Sequence, residues 1–361
     1  MLLNFDKIPK SDILFLDNNL LNLKIKNKSS IIYNFNEIRV YYLIIAIFDF
    51  CFKNENLNFK QVYKKKIYEA ISPKVAISEY INQRSFEFKF LMPGTKVITY
   101  QFSFINNRND ILKKYKYKKT DYFFVFSTLE KKLLSKIFQA KFIVSGSCIS
   151  NSVKKMNKIK YDICYISEFN NHKNFSKKSL KQINKAHNDN QKIIVKNISY
   201  YCKKNKKKFV IALRTNRRDK NKNNFYNNET EINYYKEIIS KNFKYEKNVN
   251  SYTVADKSKL IVCLSSALGI EMLGRQKKVL FLPFDQIIDK KNRKNPYFKF
   301  KTEKTAFIKK NPNKIIGLID KYLELNKKEW TKYKNKNFYD LSYNYQNKLL
   351  KEKIIEIVNA K

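Results

Sequence analysis

Short, continuous apolar bursts alternate with helix-length segments along this chain, and that alternation constrains the fold more than any other feature. The bursts are rich in β-branched and aromatic residues. Runs that are apolar at consecutive positions are typical of strands buried on both faces of a parallel sheet. They predict strands at 31–33, 75–80, 96–102, 121–127, 141–147, 161–167, 209–214, 260–265 and 278–283. The sequence therefore predicts an α/β fold.

Helices are predicted between these strands, at 56–70, 128–140, 177–203, 229–242, 267–275 and 313–325. The second of them follows Ser127, a residue type that caps helices, with Glu130 at the third helical position. Repeated strand–helix–strand units indicate doubly wound domains. A chain of 361 residues suits two domains. We place them at 1–150 and 151–325, followed by a helical tail at 326–361.

The charge balance allows two interpretations. With 75 Lys and Arg against 31 Asp and Glu, the formal net charge is +44. A basic surface of this kind binds nucleic acid, anionic lipid or a polyanionic substrate. Alternatively, a compositional bias has inflated Lys, Asn, Ile, Tyr and Phe together, because these residues share AT-rich codons. A uniform bias would spread lysines over all faces and build no single binding stripe.

Cysteine usage and the apolar runs indicate the compartment. The five cysteines are scattered, which fits neither a disulfide framework nor a zinc site and is typical of a reducing cytoplasm. The first residues, MLLNFDKIPKSD, lack the features of a secretion signal. The most apolar run, 40–52, is shorter than the roughly 20 residues that span a bilayer. We expect a cytoplasmic protein, soluble or peripheral at a membrane.

The most informative segment is LIVCLSSALGIEMLGRQKKVLFLPF, residues 260–284. Its pattern predicts a buried strand, a turn at Ser265 and Ser266, a short helix and a second buried strand. Two serines at a helix start can cap it and leave backbone N–H groups facing outward, where the partial positive charge suits a diphosphate. The small residues Ala267 and Gly269 would let a ligand approach the backbone.

Glu271 lies one to two turns into the same predicted helix. A carboxylate there could accept hydrogen bonds from ribose hydroxyls, as an acidic residue does in dinucleotide-binding folds. The competing interpretation is an ordinary strand–helix–strand unit with a serine cap and an exposed glutamate. The chain contains no GxGxxG or GxxxxGK[ST] pattern, which argues against a standard dinucleotide fold or a P-loop.

The stretch SSALGIEMLGRQKKVLF resembles the C-terminal domain of the surface-carbohydrate (O-antigen) biosynthesis family and, more distantly, Kdo- and CDP-glycerol-type transferases of the GT-B fold. Segments elsewhere fit the same family: PKVAIS, DYFFVFS, FIVSGS and FVIALRTNRRD. The resemblance spans residues 70–285. It implies a GT-B-like pair of Rossmann-like domains facing a cleft, with an acceptor-side domain at 1–150 and a nucleotide-sugar-binding domain at 151–325.

Carried onto this sequence, the resemblance implies that Ser265, Ser266 and the amides of the following residues hold the diphosphate, and that Glu271 holds the ribose. Arg214 follows a predicted strand, where open α/β sheets bind ligands, and could pair with phosphate and stabilise the leaving nucleotide. Glu79 also follows a predicted strand and is the candidate general base for an acceptor hydroxyl. The alternatives are a surface arginine and an exposed strand-end glutamate.

The predicted function is a glycosyltransferase that moves a sugar or related unit from a nucleotide donor to a surface polysaccharide or a lipid-linked or oligosaccharide acceptor. It would work at the inner face of the cytoplasmic membrane, in peripheral contact with anionic lipid. We expect no cofactor and no metal, because His172 and His187 have no neighbouring ligand cluster and no Asp-x-Asp follows a strand. The alternatives are a basic nucleic-acid-binding protein and a non-catalytic relative of the transferase.

Overall fold

The structure is a computed structural model. It describes residues 2–17, 20, 23, 25, 28–32, 37–53, 56–80, 83–101, 118–170, 178–214, 228–239, 243–246, 249–282, 312–338 and 341–360. The chain divides into two compact units, one formed by Met1–Ser152 with Asn344–Lys361 and the other by Val153–Tyr343. Each unit is described below by itself.

The first unit is built on a parallel sheet with the strand order β3-β2-β5-β6-β7-β8. The same unit contains a separate two-stranded parallel sheet, formed by β1 and β4. The strands are β1 (Leu2–Asn4), β2 (Ile13–Phe15), β3 (Ser30–Ile32), β4 (Glu37–Arg39), β5 (Val75–Glu79), β6 (Lys96–Tyr100), β7 (Lys119–Val125) and β8 (Gln139–Val144). The helices are α1 (Val40–Phe52), α2 (Phe59–Ile71), α3 (Arg84–Leu91), α4 (Thr128–Leu134) and α5 (Cys148–Ser152).

The C-terminal segment of the chain completes this unit. A short 3₁₀ turn, Tyr345–Asn347, leads into the last helix, Lys348–Asn359. Successive side chains of a strand point to opposite faces of its sheet. Val75 and Ile77 pack with the last helix through Leu350 and Ile354. On the other face, Ala76 packs with residues of α1, α2 and α3. Helices thus cover both faces, which explains why the strands are apolar throughout.

The second unit contains a parallel sheet with the order β10-β9-β11-β12. Its strands are β9 (Tyr161–Ile166), β10 (Phe209–Ala212), β11 (Ser258–Cys263) and β12 (Lys278–Phe281). Its helices are α6 (Lys178–Lys204), α7 (Asn228–Ile238), α8 (Ser251–Asp256), α9 (Ala267–Gly274), α10 (Pro312–Glu324) and α11 (Lys327–Asn337). The last helix of the chain, Lys348–Asn359, belongs to the first unit and is called α12. No helix in the described part of the chain is both long enough and apolar enough to cross a bilayer.

The predicted fold class is confirmed: the protein is α/β, with two parallel sheets and a helical C-terminal region. All nine predicted strands are present, and Ser127 caps α4 by accepting a hydrogen bond from the backbone N–H of Glu130 at 3.2 Å. The helix predicted at 128–140 is too long, because Gln139–Val144 pairs with β7 as an edge strand. Residues 326–361, predicted as one tail, divide between the two units after Tyr343.

The sequence did not predict β1, β2 or β4. Each is a strand of three residues. Such short strands give too little periodicity to be distinguished from a loop. The β2 strand lies inside the first sheet, next to its edge strand β3, and pairs with both β3 and β5. Its position is therefore fixed by tertiary pairing and not by a local sequence pattern.

Candidate functional site

The order of the second sheet indicates the edge at which a ligand site is expected. From β9 the chain passes to β10 on one side, and β11 then lies on the other side of β9. In open α/β sheets, the crevice at the carboxyl ends of two strands related in this way is where ligands bind. Glu168 follows β9, Arg214 follows β10 and Ser265 follows β11. Two residues of the predicted site, Arg214 and Ser265, therefore lie at the same edge.

A carboxylate of the protein itself is bound at the start of the predicted phosphate site. The backbone N–H of Ser265 donates to Oε1 of Glu168 at 2.9 Å, and its hydroxyl donates to Oε2 at 3.2 Å. The imidazole Nε2 of His187 lies 3.8 Å from Oε2. This corner of the edge thus already holds an oxyanion. Sequence reasoning missed Glu168, because it lies 97 positions from Ser265 in the chain.

The start of α9 differs from the predicted serine cap. Ser266 occupies the N-cap position, but its side chain makes no capping hydrogen bond within the described residues, so that prediction is wrong. The first intrahelical bond runs from the N–H of Ile270 to the carbonyl of Ser266 at 3.2 Å. The N–H groups of Ala267, Leu268 and Gly269 precede that ladder and carry the positive end of the helix dipole. Ala267 is exposed to solvent.

Gly269 is required by the packing of α9 against the sheet. A Cβ at this position would lie 2.5 Å from Sγ of Cys263 in β11 and 3.1 Å from a ring carbon of Phe281 in β12. No ordinary side-chain contact is that short. Its missing side chain faces the sheet, which gives Gly269 a packing role; that a ligand approaches its backbone stays a prediction. Gly269 lets the helix approach the two strands closely.

Glu271 is buried in the interior of the second unit. Only 8% of its surface is exposed, and Oε2 accepts a hydrogen bond from the hydroxyl of Tyr252 in α8. The alternative interpretation of an exposed helix glutamate is wrong. A carboxylate can accept about four hydrogen bonds, so the bond from Tyr252 is compatible with a further hydroxyl at this residue.

Arg275 fixes the far end of α9. Its side chain is fully buried and forms an ion pair with Asp256, with Nε donating to Oδ1 at 3.2 Å. Nη1 of Arg275 donates a hydrogen bond to the carbonyl of Val153 at 3.1 Å. The guanidinium carbon also lies 4.5 Å from the ring centre of Tyr343. Burial alone would lower the pKa of Arg275, but the bond and charge of Asp256 outweigh it and raise that pKa. Arg275 therefore stays charged.

Arg214 binds the loop that carries Glu168. Its guanidinium donates to the carbonyls of Phe169 at 3.2 Å and Glu168 at 3.4 Å, and to the side-chain oxygen of Asn170. Its backbone N–H donates to Glu231 at 2.9 Å. The side chain is half-buried and bonded within the protein, and its predicted role at a phosphate stays a prediction. Residues 215–219 of the segment FVIALRTNRRD, and His172, lie outside the described residues.

A network of buried polar side chains also holds the loop that follows β9. Glu231 accepts a hydrogen bond from the hydroxyl of Ser167, which in turn accepts one from Tyr235 at 2.8 Å. The side-chain oxygen of Gln191 accepts from the Tyr235 hydroxyl at 3.0 Å and from the backbone N–H of Glu168 at 2.9 Å. Burial raises the pKa of Tyr235, which keeps the hydroxyl a donor. The loop after β9 is thus held in a defined position.

Glu79 lies at the corresponding edge of the first sheet. It ends β5, is 6% exposed, and donates its backbone N–H to Oδ2 of Asp17 at 2.6 Å. The hydroxyl of Tyr100, at the end of β6, donates to Oδ1 of Asp17 at 2.6 Å. Burial and the charge of Asp17 raise the pKa of Tyr100, so this hydroxyl stays protonated. The alternative of an exposed strand-end glutamate is wrong.

Asp17 is a further candidate that sequence reasoning missed. It follows β2, and β2 and β5 are the neighbours at which the order of the first sheet reverses. Two buried carboxylates therefore meet at that edge. The same charge acts on Cys148: burial and then Asp17 raise the pKa of this thiol to about 12. The sequence offered no signal for Asp17, since the short β2 strand before it was not predicted.

A comparison with protein families found one match. The family model described as "putative O-antigen biosynthesis protein" matches residues 98–357. That range begins within β6 and includes β7 to β12 and most of α12. No curated protein matches the chain in sequence.

Comparison with solved structures found 43 chains of similar fold. The S. aureus MnaA–UDP co-structure has a TM-score of 0.51 at 12% identity and covers 98% of this chain and 97% of that one. UDP-GlcNAc 2-epimerase from Methanocaldococcus jannaschii has a TM-score of 0.50 at 13% identity, covering 97% and 100%. The calicheamicin glycosyltransferase CalG4 has a TM-score of 0.50 at 9% identity, covering 98% and 100%. At these identities the likeness concerns the fold alone, which is GT-B-like.

The packing of α9 gives a first prediction. Gly269→Ala should destabilise the protein by about 1–3 kcal/mol, because the new methyl group overpacks the contact with Cys263. Chemical denaturation measures the change. Adding Cys263→Ala should recover part of the loss by removing the sulfur. Gly317→Ala in α10 is the matched control, since a Cβ there meets nothing within 4 Å, and it should be neutral or stabilising. Equal losses in both variants would contradict the packing role.

The anchor of α9 gives a second prediction. Arg275→Met should lower the free energy of unfolding by about 3–5 kcal/mol, because it leaves Asp256 as an uncompensated buried charge. The double variant with Asp256→Asn should lose less than the sum of the two single variants. A double-mutant cycle from urea denaturation gives the coupling. Additive losses would mean that the two side chains do not act as a pair.

Proposed function

The chain belongs to the O-antigen biosynthesis family, and we propose from this premise that it is a nucleotide-sugar-dependent glycosyltransferase. It would transfer a sugar or related unit to a growing surface polysaccharide, carried on a lipid-linked or oligosaccharide acceptor at the inner face of the cytoplasmic membrane. The second unit would hold the donor and the first the acceptor. Solved enzymes of the same fold include an epimerase and a glycosyltransferase that act on activated sugars.

One observation carries the donor site: the edge of the second sheet already binds an anion. Ser265 donates two hydrogen bonds to the carboxylate of Glu168, one from its backbone N–H and one from its hydroxyl. A phosphate oxygen makes the same kind of hydrogen bond. We place the diphosphate of the donor at Ser265, Ser266 and the N–H groups that open α9, including those of Ala267 and Gly269. The donor would displace Glu168 from Ser265.

Glu271 and Arg214 complete the proposed donor site. Glu271 lies one turn beyond these amides, which suits a hydroxyl of the ribose. Tyr252 orients its carboxylate through a hydrogen bond. Arg214 lies against the backbone of Glu168, so its guanidinium would reach the diphosphate when that residue moves. There it would stabilise the charge of the leaving nucleotide.

The reaction needs a base for the acceptor hydroxyl. Glu79 is our candidate, with Asp17 holding its backbone and Tyr100 holding Asp17. Glu79 would remove the proton as the hydroxyl oxygen bonds to the anomeric carbon and the bond from that carbon to the diphosphate breaks. The products are the extended acceptor and a nucleoside diphosphate.

Nucleotide binding tests the donor site. We expect nucleoside diphosphates to raise the melting temperature of the protein, since a ligand at about 100 times its dissociation constant stabilises by roughly 2.7 kcal/mol. Thermal-shift measurements against a panel of nucleoside diphosphates and their sugar derivatives identify the base. Oligonucleotide binding that weakens steeply with salt, with no response to any nucleotide, would instead favour a nucleic-acid-binding protein.

The role of Glu168 gives a sharper test. Glu168→Gln should bind the nucleoside diphosphate about fivefold more tightly than the wild type, because the ligand no longer displaces a charged competitor from Ser265. Glu324→Gln removes an exposed carboxylate from the end of α10 and is the control for net charge. Isothermal titration calorimetry measures both. An unchanged or weaker affinity in Glu168→Gln alone would contradict the placement of the diphosphate at Ser265.

Product analysis tests the chemistry. Glu79→Gln should lower the transfer rate by about 100-fold or more while leaving donor affinity unchanged, as expected for a general base. Release of nucleoside diphosphate in the presence of acceptor measures transfer. Conversion of the donor sugar to a stereoisomer with its nucleotide still attached would favour an epimerase, and binding without turnover over a broad acceptor panel would favour a non-catalytic relative.

A further inference from the structure

Helix α1 exposes an apolar face to solvent. Its thirteen residues, VYYLIIAIFDFCF, include one charged side chain, Asp49. Fifteen large apolar side chains of the described residues are exposed, and six of them belong to this helix. They are Tyr41, Ile44, Ile47, Phe48, Phe50 and Phe52, and the exposed fraction reaches 77% at Phe52. The exposure is thus concentrated on one element.

The opposite face of α1 is packed normally. Tyr42 and Ala46 are buried, and the Tyr42 hydroxyl accepts a hydrogen bond from the backbone N–H of Ile8 at 3.1 Å. The exposed residues 41, 44, 48 and 52 follow the spacing of a single helical face. Half-exposed side chains of this size contribute on the order of 100 Å² each, so these four form a patch on the order of 400 Å². The largest apolar patch on a protein surface is typically of that size and is often functional.

Lysines lie on or close to this helix. Lys7 lies with its ammonium 5.3 Å from the ring centre of Tyr41. Lys53 follows the last residue of the helix, and Lys60 lies exposed in α2. The carboxylate of Asp49 is neutralised by Lys53 at 3.0 Å and by Lys66. Among the described residues, the helix face therefore presents apolar side chains with lysines nearby, and the one carboxylate of the helix is ion-paired.

We propose that α1 docks this protein on an anionic lipid bilayer, lying flat at the interface. The apolar face would enter the boundary between headgroups and acyl chains, and the bordering lysines would contact lipid phosphates. Phenylalanine and tyrosine are favoured at that depth. At about 1.5 Å per residue the helix is roughly 20 Å long, which suits a flat orientation. The inference does not depend on the proposed nucleotide chemistry.

Charge complementarity selects the bilayer over a second copy of the chain. A symmetric contact through α1 would bring the same lysines, Lys7, Lys53 and Lys60, into proximity from both copies. Each copy also carries a formal charge of +44, so the two would repel. An anionic membrane attracts the same charges. An anionic bilayer therefore offers acyl chains to the apolar face and negative headgroups to the nearby lysines.

Cys51 provides a probe within the helix itself. It is exposed, whereas Cys148, Cys164, Cys202 and Cys263 are buried. An environment-sensitive fluorophore on Cys51 of the full chain should shift to the blue with phosphatidylglycerol-containing vesicles, and a quencher carried on lipid chains should quench it. A Cys51→Ser variant confirms the labelling site. Because charge alone brings a basic protein to anionic vesicles, the measurement is repeated in about 0.5 M salt, where surface electrostatics are screened.

The variant Ile44→Gln/Phe48→Gln/Phe52→Gln removes three side chains of the exposed face. We expect it to fold, to lose the fluorescence shift, and to lose vesicle binding at high salt by about tenfold or more. The matched control is Ile159→Gln/Tyr200→Gln/Leu349→Gln, which removes three exposed apolar side chains elsewhere. The control should behave as the wild type. Circular dichroism verifies folding in both.

Three results would overturn the proposal. The label could stay in water while the protein cosediments with vesicles, which would mean that charge alone binds the membrane. The shift could occur without lipid and grow with protein concentration, which would identify a second copy of the chain as the occupant. An equal response to vesicles of phosphatidylcholine alone would remove the role of the lysines.

Discussion

The close approach of α9 to the strand before it is the constraint on which the candidate donor site depends. Gly269 has no side chain because Cys263 and Phe281 fill the space where one would project. At the other end of the helix, the buried pair of Arg275 and Asp256 holds the chain against α8. With both ends fixed by packing, the first amides of the helix stay at the carboxyl edge of the sheet. The electrostatics of that edge follow from this geometry.

The carboxyl edge of the second sheet binds a carboxylate of the protein itself, that of Glu168. Taking a carboxylate out of water is unfavourable unless hydrogen bonds replace the water, and Ser265 supplies two of them to Glu168. The loop that carries Glu168 is held by Arg214 and Gln191. A ligand of greater negative charge would compete for the same donors. Our proposal takes Glu168 as the residue that marks the phosphate position.

Local pattern was sufficient to predict nine strands, six of the helices and the Ser127 cap, because periodicity and capping are properties of adjacent residues. It was also sufficient to bring Arg214 and Ser265 to one edge, since parallel strands end together. The partners of the candidate residues could not be predicted: Glu168 is 97 positions from Ser265, and Asp17 is 62 positions from Glu79. Nothing in the local sequence reveals that Glu271 is buried against Tyr252, because that contact requires α8 to pack beside α9.

A crystal structure of the protein with the nucleoside diphosphate that stabilises it most would test the central claim directly. The account predicts the diphosphate within hydrogen-bond distance of the N–H groups of Ala267, Leu268 and Gly269, with the carboxylate of Glu168 moved away from Ser265. A nucleotide bound elsewhere, with Glu168 still bonded to the N–H and hydroxyl of Ser265, would contradict it.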